Sequence, residues 1–296
     1  MKRIFVIGSL NIDLSVEVDH FPQKGETILG SNTSMVPGGK GGNQAIAASF
    51  YGGDVRMLGA VGKDIFGETI ISNLKKYGVN TDSIKVIDDE STGMAFISLT
   101  KSDNQIVVAP GANYRVSIED VDSFIYDAKE GDLLVIQLEL PLEVVRYAID
   151  HAFEKHMLII LNPAPATEAV VSLLPKCDYV IPNESELTIL TGIMEIEKAS
   201  KSLKSLNTIV TLGSKGVYYP DEDVRFEAIE PEKAIDTVGA GDCFIGAFAA
   251  EIALGRKPIE AIDFARGASS LSCQKKGTSG ALHDRDAVNK AIERDE

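Results

Sequence analysis

Asp236-Thr237-Val238-Gly239-Ala240-Gly241-Asp242 runs directly into Cys243–Leu254, a stretch that is apolar and Ala/Gly-rich apart from Glu251 and has no proline. The second stretch reads as a buried helix. Gly239-Ala240-Gly241 therefore opens a helix, whose first N–H groups have no partner within it. Those groups sit at the positive end of the dipole and form an anion site. Asp242 falls in the first turn, where an Asp is commonly a cap. A carboxylate beside an anion site can also take a hydroxyl proton while the site holds developing negative charge. On these residues alone both readings stand.

Around this segment, short β-branched runs alternate with helical patterns. Ile4–Gly8, Val55–Ala60, Leu133–Leu138, Leu158–Leu161, Tyr179–Ile181 and Thr208–Thr211 read as strands. Gln44–Phe50, Phe66–Tyr77, Leu142–Lys155, Glu186–Thr191 and Glu195–Leu206 read as helices. Such alternation predicts an α/β fold with a mostly parallel sheet covered on both faces. Two stretches break the rhythm. Asp13–Phe21 alternates apolar and polar residues with period two, and Met94–Val108 does so around a polar turn at Lys101–Asn104. That period marks a half-exposed sheet, which predicts a lid, a dimer surface or both. There is no internal repeat and no Pro/Gly/Ser linker, so residues 1–296 read as a single domain.

A second glycine motif stands at Pro37-Gly38-Gly39-Lys40-Gly41-Gly42-Asn43-Gln44-Ala45, ahead of a helix. Four glycines in five positions permit close backbone approach and positive φ. No Gly-Lys-Ser/Thr closes the run, so it is not a Walker A loop. It follows no buried parallel strand, so it is not a dinucleotide fingerprint. Lys40 and Asn43 supply a cation and an amide suited to hydroxyl and phosphate groups.

The formal charge of −15 argues against a nucleic-acid partner, since Lys and Arg form no basic stripe. Cys177, Cys243 and Cys273 are scattered, without a C-x-x-C pair, and read as buried free thiols of a reducing cytoplasm. The apolar run after Met1 is too short for a signal peptide, and no run of about 18 apolar residues marks a membrane span. His20, His151, His156 and His283 show no ligand spacing.

The two glycine motifs together resemble the signatures of the PfkB carbohydrate kinases, and within them the ribokinase branch. The likeness extends through Gly8-Ser9-Leu10-Asn11-Ile12-Asp13, Pro110-Gly111-Ala112-Asn113 and Gln137-Leu138-Glu139-Leu140-Pro141. It continues through Asn162-Pro163-Ala164-Pro165-Ala166, Pro182-Asn183-Glu184-Ser185-Glu186 and Thr211-Leu212-Gly213-Ser214-Lys215-Gly216. The resemblance implies a ribokinase-like three-layer α/β/α sandwich with a small β-sheet lid at about 13–37 and 92–108. It implies transfer of the γ-phosphoryl group of ATP to a sugar's primary hydroxyl, that of D-ribose above all. By position, Asp242 would be the general base and Gly239, Ala240 and Gly241 the anion hole. Asn11, Asp13, Gly39, Lys40, Asn43 and Glu139 would line the sugar site. Asn183, Thr211, Gly213, Gly216 and Gly241 would meet the nucleotide, and Glu186 would act on Mg²⁺ through water. Asp236, Val238, Ser272, Lys275 and Gly277 would hold an activating K⁺. A homodimer through the lid is implied as well.

The ribokinase branch usually reads Asp-Thr-Thr-Ala-Ala-Gly-Asp at the second motif, carries Ala at the place of Gly42, and differs at Gly277-Thr278-Ser279-Gly280-Ala281-Leu282-His283. The acceptor therefore stays open between ribose, another sugar and a nucleoside. Phe21 and Phe96 are the lid aromatics a nucleoside base would want, and they also read as packing within the lid. An NAD-dependent oxidoreductase is disfavoured, because Gly8-Ser9-Leu10-Asn11 is not G-x-G-x-x-G. A relative that kept the fold and lost the chemistry is disfavoured by the presence of Asp242.

Overall fold

The computed structural model describes residues 1–100, 103–203 and 207–295. Strand β1 (Arg3–Ile7) alternates between two cores: Ile4 and Val6 face one, Phe5 and Ile7 the other, and all four are fully buried. A strand buried on both faces is what a continuous apolar run predicts. The chain then leaves the body through β2 (Asn11–Glu17) and β3 (Ser31–Gly38) and returns as helix α1 (Lys40–Phe50). Strand β4 (Asp54–Gly62), helix α2 (Ile65–Lys76) and strand β5 (Asn80–Ile87) follow. The chain leaves again as β6 (Gly93–Leu99) and β7 (Asn104–Ala109).

Helix α3 (Ile118–Phe124), strand β8 (Leu133–Ile136), helix α4 (Leu142–Glu154) and strand β9 (Leu158–Leu161) continue the alternation. Next come β10 (Tyr179–Val180), α5 (Glu184–Thr191), α6 (Ile196–Ser202) and β11 (Asn207–Thr208). The short strands β12 (Val210–Thr211), β13 (Val217–Tyr219) and β14 (Val224–Phe226) lead to three helices, α7 (Ala240–Ala253), α8 (Pro258–Ser272) and α9 (Arg285–Glu293).

The main sheet has seven parallel strands in the order β11-β10-β9-β8-β1-β4-β5. Residues of α1, α7 and α8 share the core on one face, and those of α3 and α4 share the core on the other. A second sheet, β3-β2-β6-β7, pairs β2 with β6 in parallel and closes with two antiparallel edges. A third, β12-β13-β14, is antiparallel. No helix among the described residues is long and apolar enough to cross a membrane.

Helices α1 and α7 pack closely at Gly246, and this sets the geometry of the site. A Cβ added at Gly246 would lie 2.5 Å from Ala47 Cβ and 2.5 Å from Gln44 O. Only a residue without a side chain permits that approach, so the first turn of α7 lies beside the first turn of α1.

The structure differs from the sequence reading at several elements. Helix α1 begins at Lys40 rather than Gln44, so Gly41 and Gly42 form its first turn. Strand β5 has no clear period-two signal. It is an edge strand, and its register against β4 shifts between Arg56 and Leu58. The expected strand Thr208–Thr211 divides between two sheets at the buried Ile209. The helix expected over Glu195–Leu206 ends at Ser202; residues 204–206, like Lys101 and Ser102 of the lid turn, lie outside the described residues.

Candidate active site

In a doubly wound sheet, ligands bind beyond the carboxyl ends of the strands where the strand order reverses. Here β1 lies between β8 and β4. The segments leaving β1, β8, β9 and β10 carry Ser9, Gln137, Asn162 and Asn183. The N-terminus of α7 opens into the same crevice.

Gly239 is the N-cap of α7, at φ 75°, and no side chain caps the helix. Asp242 is therefore not a cap. Its carboxylate instead accepts one hydrogen bond from Asn43 Nδ2 at 3.0 Å and one from Gln44 Nε2 at 2.9 Å. Ala240 N–H is donated to Thr237 O and Cys243 N–H to Gly239 O. The N–H groups of Gly241 and Asp242, which precede the first possible i−4 acceptor in the helix, stay at its mouth.

A cavity of about 140 Å³ lies in front of this mouth, lined by Lys40, Asn183, Glu186, Thr211, Gly241 and Asp242 among others. Burial works against the Lys40 ammonium, but Asp242, Glu139, Glu186 and Asp13 outweigh it and raise its pKa. Asn183 and Glu186 form a reciprocal capping box on α5: Glu186 N–H donates to Asn183 Oδ1, and Asn183 N–H to Glu186 Oε2, each at 2.8 Å. Burial raises the Glu186 carboxyl, although the Asn183 N–H and Lys40 oppose it.

A wider cavity of about 770 Å³ shares Asn183, Thr211 and Gly241 with the first. Gly213 and Gly216 line it, as do the apolar Ile229, Pro231 and Phe244. Cys273 also lines it, so this thiol is not buried as Cys177 and Cys243 are; it stands at the C-cap of α8, on the cavity wall.

On the lid side, Asn113 is fully buried and clamps the passage from β1 to β2. Its Oδ1 accepts from Leu10 N–H, and its Nδ2 donates to Asn11 Oδ1 at 2.8 Å. Asn11 therefore has its amide NH₂ left for a ligand. Glu139 is held by the Ser9 hydroxyl. Burial, aided by Glu139 and Asp242 and opposed by Lys40, raises the Asp13 carboxyl to about 6. The folded protein thus keeps a proton that the unfolded chain, near 3.8, has released. The stability this supplies is full below pH 3.8 and lost as pH rises through 6. Asp13→Asn is expected to stabilise the ligand-free protein at pH 8 by about 3 kcal/mol and to leave it nearly unchanged at pH 4. Thermal unfolding at the two pH values measures this, and equal shifts at both contradict it.

Asp236 ties two loops together: Oδ1 accepts from Val238 N–H and Oδ2 from Gly277 N–H, each at 3.0 Å. The N–H groups of Ile235 and Asp236 donate to Cys273 O. Asp236, Val238 and Gly277 are thus brought together. The Ser272 hydroxyl turns back onto Ser269 O within α8, and Lys275 is exposed. Among the described residues no group of three or more His, Cys, Asp or Glu side chains is arranged to hold a metal ion.

The sequence assigns no role to Gln44, Ser9 or Asn113, which bond Asp242, Glu139 and Asn11, nor to Gln137 and Asn162, which bond Gln44 behind them. A signal existed for two of them. Gln137 and Asn162 are amides immediately after fully apolar parallel strands, at the end of the sheet where ligands bind.

The family described as pfkB family carbohydrate kinase matches residues 1–285. The chain is 37% identical to the ribokinase of Bacillus subtilis (strain 168) over 294 residues, which cover 99% of this chain and 100% of that one. It is 42% identical to the deoxyribokinase of Salmonella typhimurium over 258 residues, covering 83% of this chain and 84% of that one. The structure of the Arabidopsis thaliana ribokinase complexed with ribose and ATP superposes with a TM-score of 0.87 at 29% identity, covering 99% of each chain. The crevice, the helix mouth and these likenesses agree: the chain belongs to the pfkB family of carbohydrate kinases, enzymes that phosphorylate a sugar hydroxyl.

Proposed function

We propose that this enzyme transfers the γ-phosphoryl group of ATP to the primary hydroxyl of D-ribose, giving D-ribose 5-phosphate and ADP. The observation that carries the reading is Asp242. It is a carboxylate in the first turn of a buried helix, held by Asn43 and Gln44 instead of capping. So placed, it takes the proton of the attacking hydroxyl as general base. The turn Gly239-Ala240-Gly241 presents the helix mouth to the charge that develops on the phosphoryl oxygens; the Ala240 N–H is taken by Thr237 O, so the donors there are the N–H groups of Gly241 and Asp242.

The acceptor side suits a polyol. Asn11 offers an NH₂, Lys40 an ammonium, and Asp13 and Glu139 offer acceptor oxygens. Asn43 donates to Asp242, which leaves its carbonyl for the sugar, and Gly39 shapes the turn beneath them. Asn183, Thr211, Gly213, Gly216 and Gly241 receive the nucleotide, with the apolar wall of the wider cavity for the base. Mg²⁺ bound with ATP would neutralise phosphate charge, and Glu186, with one oxygen engaged in its capping box, would hold it through water. Asp236, with backbone oxygens of Val238, Ser272, Lys275 and Gly277, would hold K⁺, which would supply positive charge beside the anion hole. Turnover is expected to be several-fold faster in K⁺ than in a bulky organic cation at fixed Mg·ATP; equal rates count against the K⁺ site.

Residues 1–296 act as one domain, and free thiols suit a cytoplasmic location. Residues 13–37 and 92–108 form the lid, which excludes competing water. Met35, Phe96, Ile106, Val107 and Val108 are exposed on it, a surface suited to a second copy of the chain. Val107→Lys is expected to convert the dimer to a 31.8 kDa monomer in light scattering. An unchanged mass removes this surface as the interface.

The acceptor is tested by ADP release with ribose, deoxyribose, fructose, ketodeoxygluconate and nucleosides. Ribose is expected to give the highest kcat/KM. A higher value with deoxyribose reassigns the acceptor, and a higher value with a nucleoside overturns the sugar reading.

A further inference from the structure

Three amide side chains behind the site form a buried chain that ends on Asp242. Gln137 and Gln44 are fully buried, and Asn162 is 7% exposed. Gln137 Nε2 donates to Gln44 Oε1 at 2.7 Å. Gln44 Nε2 donates to Asp242 Oδ1 at 2.9 Å and to Asn162 Oδ1 at 3.2 Å. Asn162 Nδ2 donates to Ile181 O.

The direction of this chain is set from its end. An ionised carboxylate only accepts, so Gln44 must turn its NH₂ to Asp242. Its carbonyl then faces Gln137, which must answer with its own NH₂. That leaves Gln137 Oε1 buried without a partner. An unpartnered buried acceptor works against stability. The oxygen lies against Gly8, where any Cβ would come within 2.1 Å of it. A core selected for stability alone would place an apolar side chain at 137. The orphaned oxygen is what remains when the rest of the amide is used to orient Gln44.

We infer that Gln44, locked by Gln137, is a positioning residue that holds the Asp242 carboxylate in line with the acceptor hydroxyl. The inference rests on the reading of Asp242 as the base. Asn43 holds the other oxygen and, in the proposed function, also meets the sugar. Gln44 has no surface on the cavities, so its effect must pass through Asp242.

A double-mutant cycle on kcat tests this. Gln44→Leu is expected to lower kcat about 10- to 100-fold, the value of one charge-assisted hydrogen bond. The KM values for sugar and ATP should stay within about twofold. Gln137→Leu, one residue removed from the carboxylate, should lower kcat about 3- to 10-fold with the same KM pattern. In an Asp242→Ala background there is no carboxylate to hold, so each Leu substitution should cost less than about twofold. A residue that only fills the core would cost the same in both backgrounds, and full additivity therefore overturns the inference. Parental kcat in Gln44→Leu overturns it too. If Gln44→Leu does not fold, judged by thermal unfolding, Gln137→Leu gives the same decision. Near-parental turnover in Asp242→Ala alone would instead remove the base assignment, a separate outcome.

Discussion

Asp242→Asn is expected to lower kcat by roughly 10²–10⁴-fold, the range for loss of a general base. ATP affinity should stay near that of the parent. The substitution keeps the size of the side chain and leaves the helix mouth intact, so electrostatic stabilisation of the phosphoryl group persists and some turnover remains. It also places an amide against two amide donors, Asn43 Nδ2 and Gln44 Nε2. One of them must lose its acceptor, at about 1 kcal/mol of stability. Initial rates of ADP release, with calorimetric titration of a non-hydrolysable ATP analogue, separate the two effects. Turnover within tenfold of the parent would remove Asp242 from the chemistry. Lost nucleotide binding would show that the substitution damaged the helix mouth.

Lys40→Met should cause the second large effect, in stability as well as rate. Lys40 is the cation that offsets Asp242, Glu139, Glu186 and Asp13. Removing the cation from a fully buried cluster costs roughly 3–5 kcal/mol. Lys40 is half-buried, so about 2–3 kcal/mol is expected at pH 8. The deficit should shrink toward pH 5. Asp13, near 6 in the parent, and Glu186, also raised, then take up protons and relieve the repulsion. Removal of Lys40 moves both groups further up, which widens the window in which acid restores stability. Unfolding temperatures of both proteins between pH 5 and 8 measure this, and a constant difference across the range contradicts it. Turnover should fall as well, because Lys40 lines the cavity in front of the α7 N-terminus, the path proposed for the transferred phosphoryl group.

The fold was legible where strands are buried on both faces. β1 from Ile4 onward, β8 and β9 read as uninterrupted apolar runs because neither side meets water, and β4 does so from Met57 onward, past the partly exposed Arg56. β5 did not read as a strand. It has one neighbour, its register shifts, and its sequence Asn80-Thr81-Asp82-Ser83-Ile84-Lys85-Val86-Ile87 mixes polar and apolar residues without a clean period. The lid strands were legible for the opposite reason. Their half-exposed sheet repeats every two residues, as at Asp13-Leu14-Ser15-Val16-Glu17.

The start of α1 was misplaced because glycine is a poor helix former. Local propensity cannot show that Lys40-Gly41-Gly42 is held helical by packing against the end of β1. Asn113 stands in the Pro110-Gly111-Ala112-Asn113 motif, which does not disclose its task. Its bonds to Leu10 and Asn11 span about a hundred residues and leave no trace in local pattern.

The segment Asp236–Asp242 divides in the same way. Sequence alone determined that a helix opens at Gly239 and that a carboxylate stands in its first turn, because helix starts and glycine turns are local properties of a few neighbouring residues. Whether that carboxylate capped the helix or faced a substrate was decided by tertiary structure. The deciding hydrogen bonds come from Asn43 and Gln44, 199 and 198 residues away. They exist because Gly246 lets α7 lie against α1, and contacts made across such a separation are set by helix packing rather than by any neighbour in the chain.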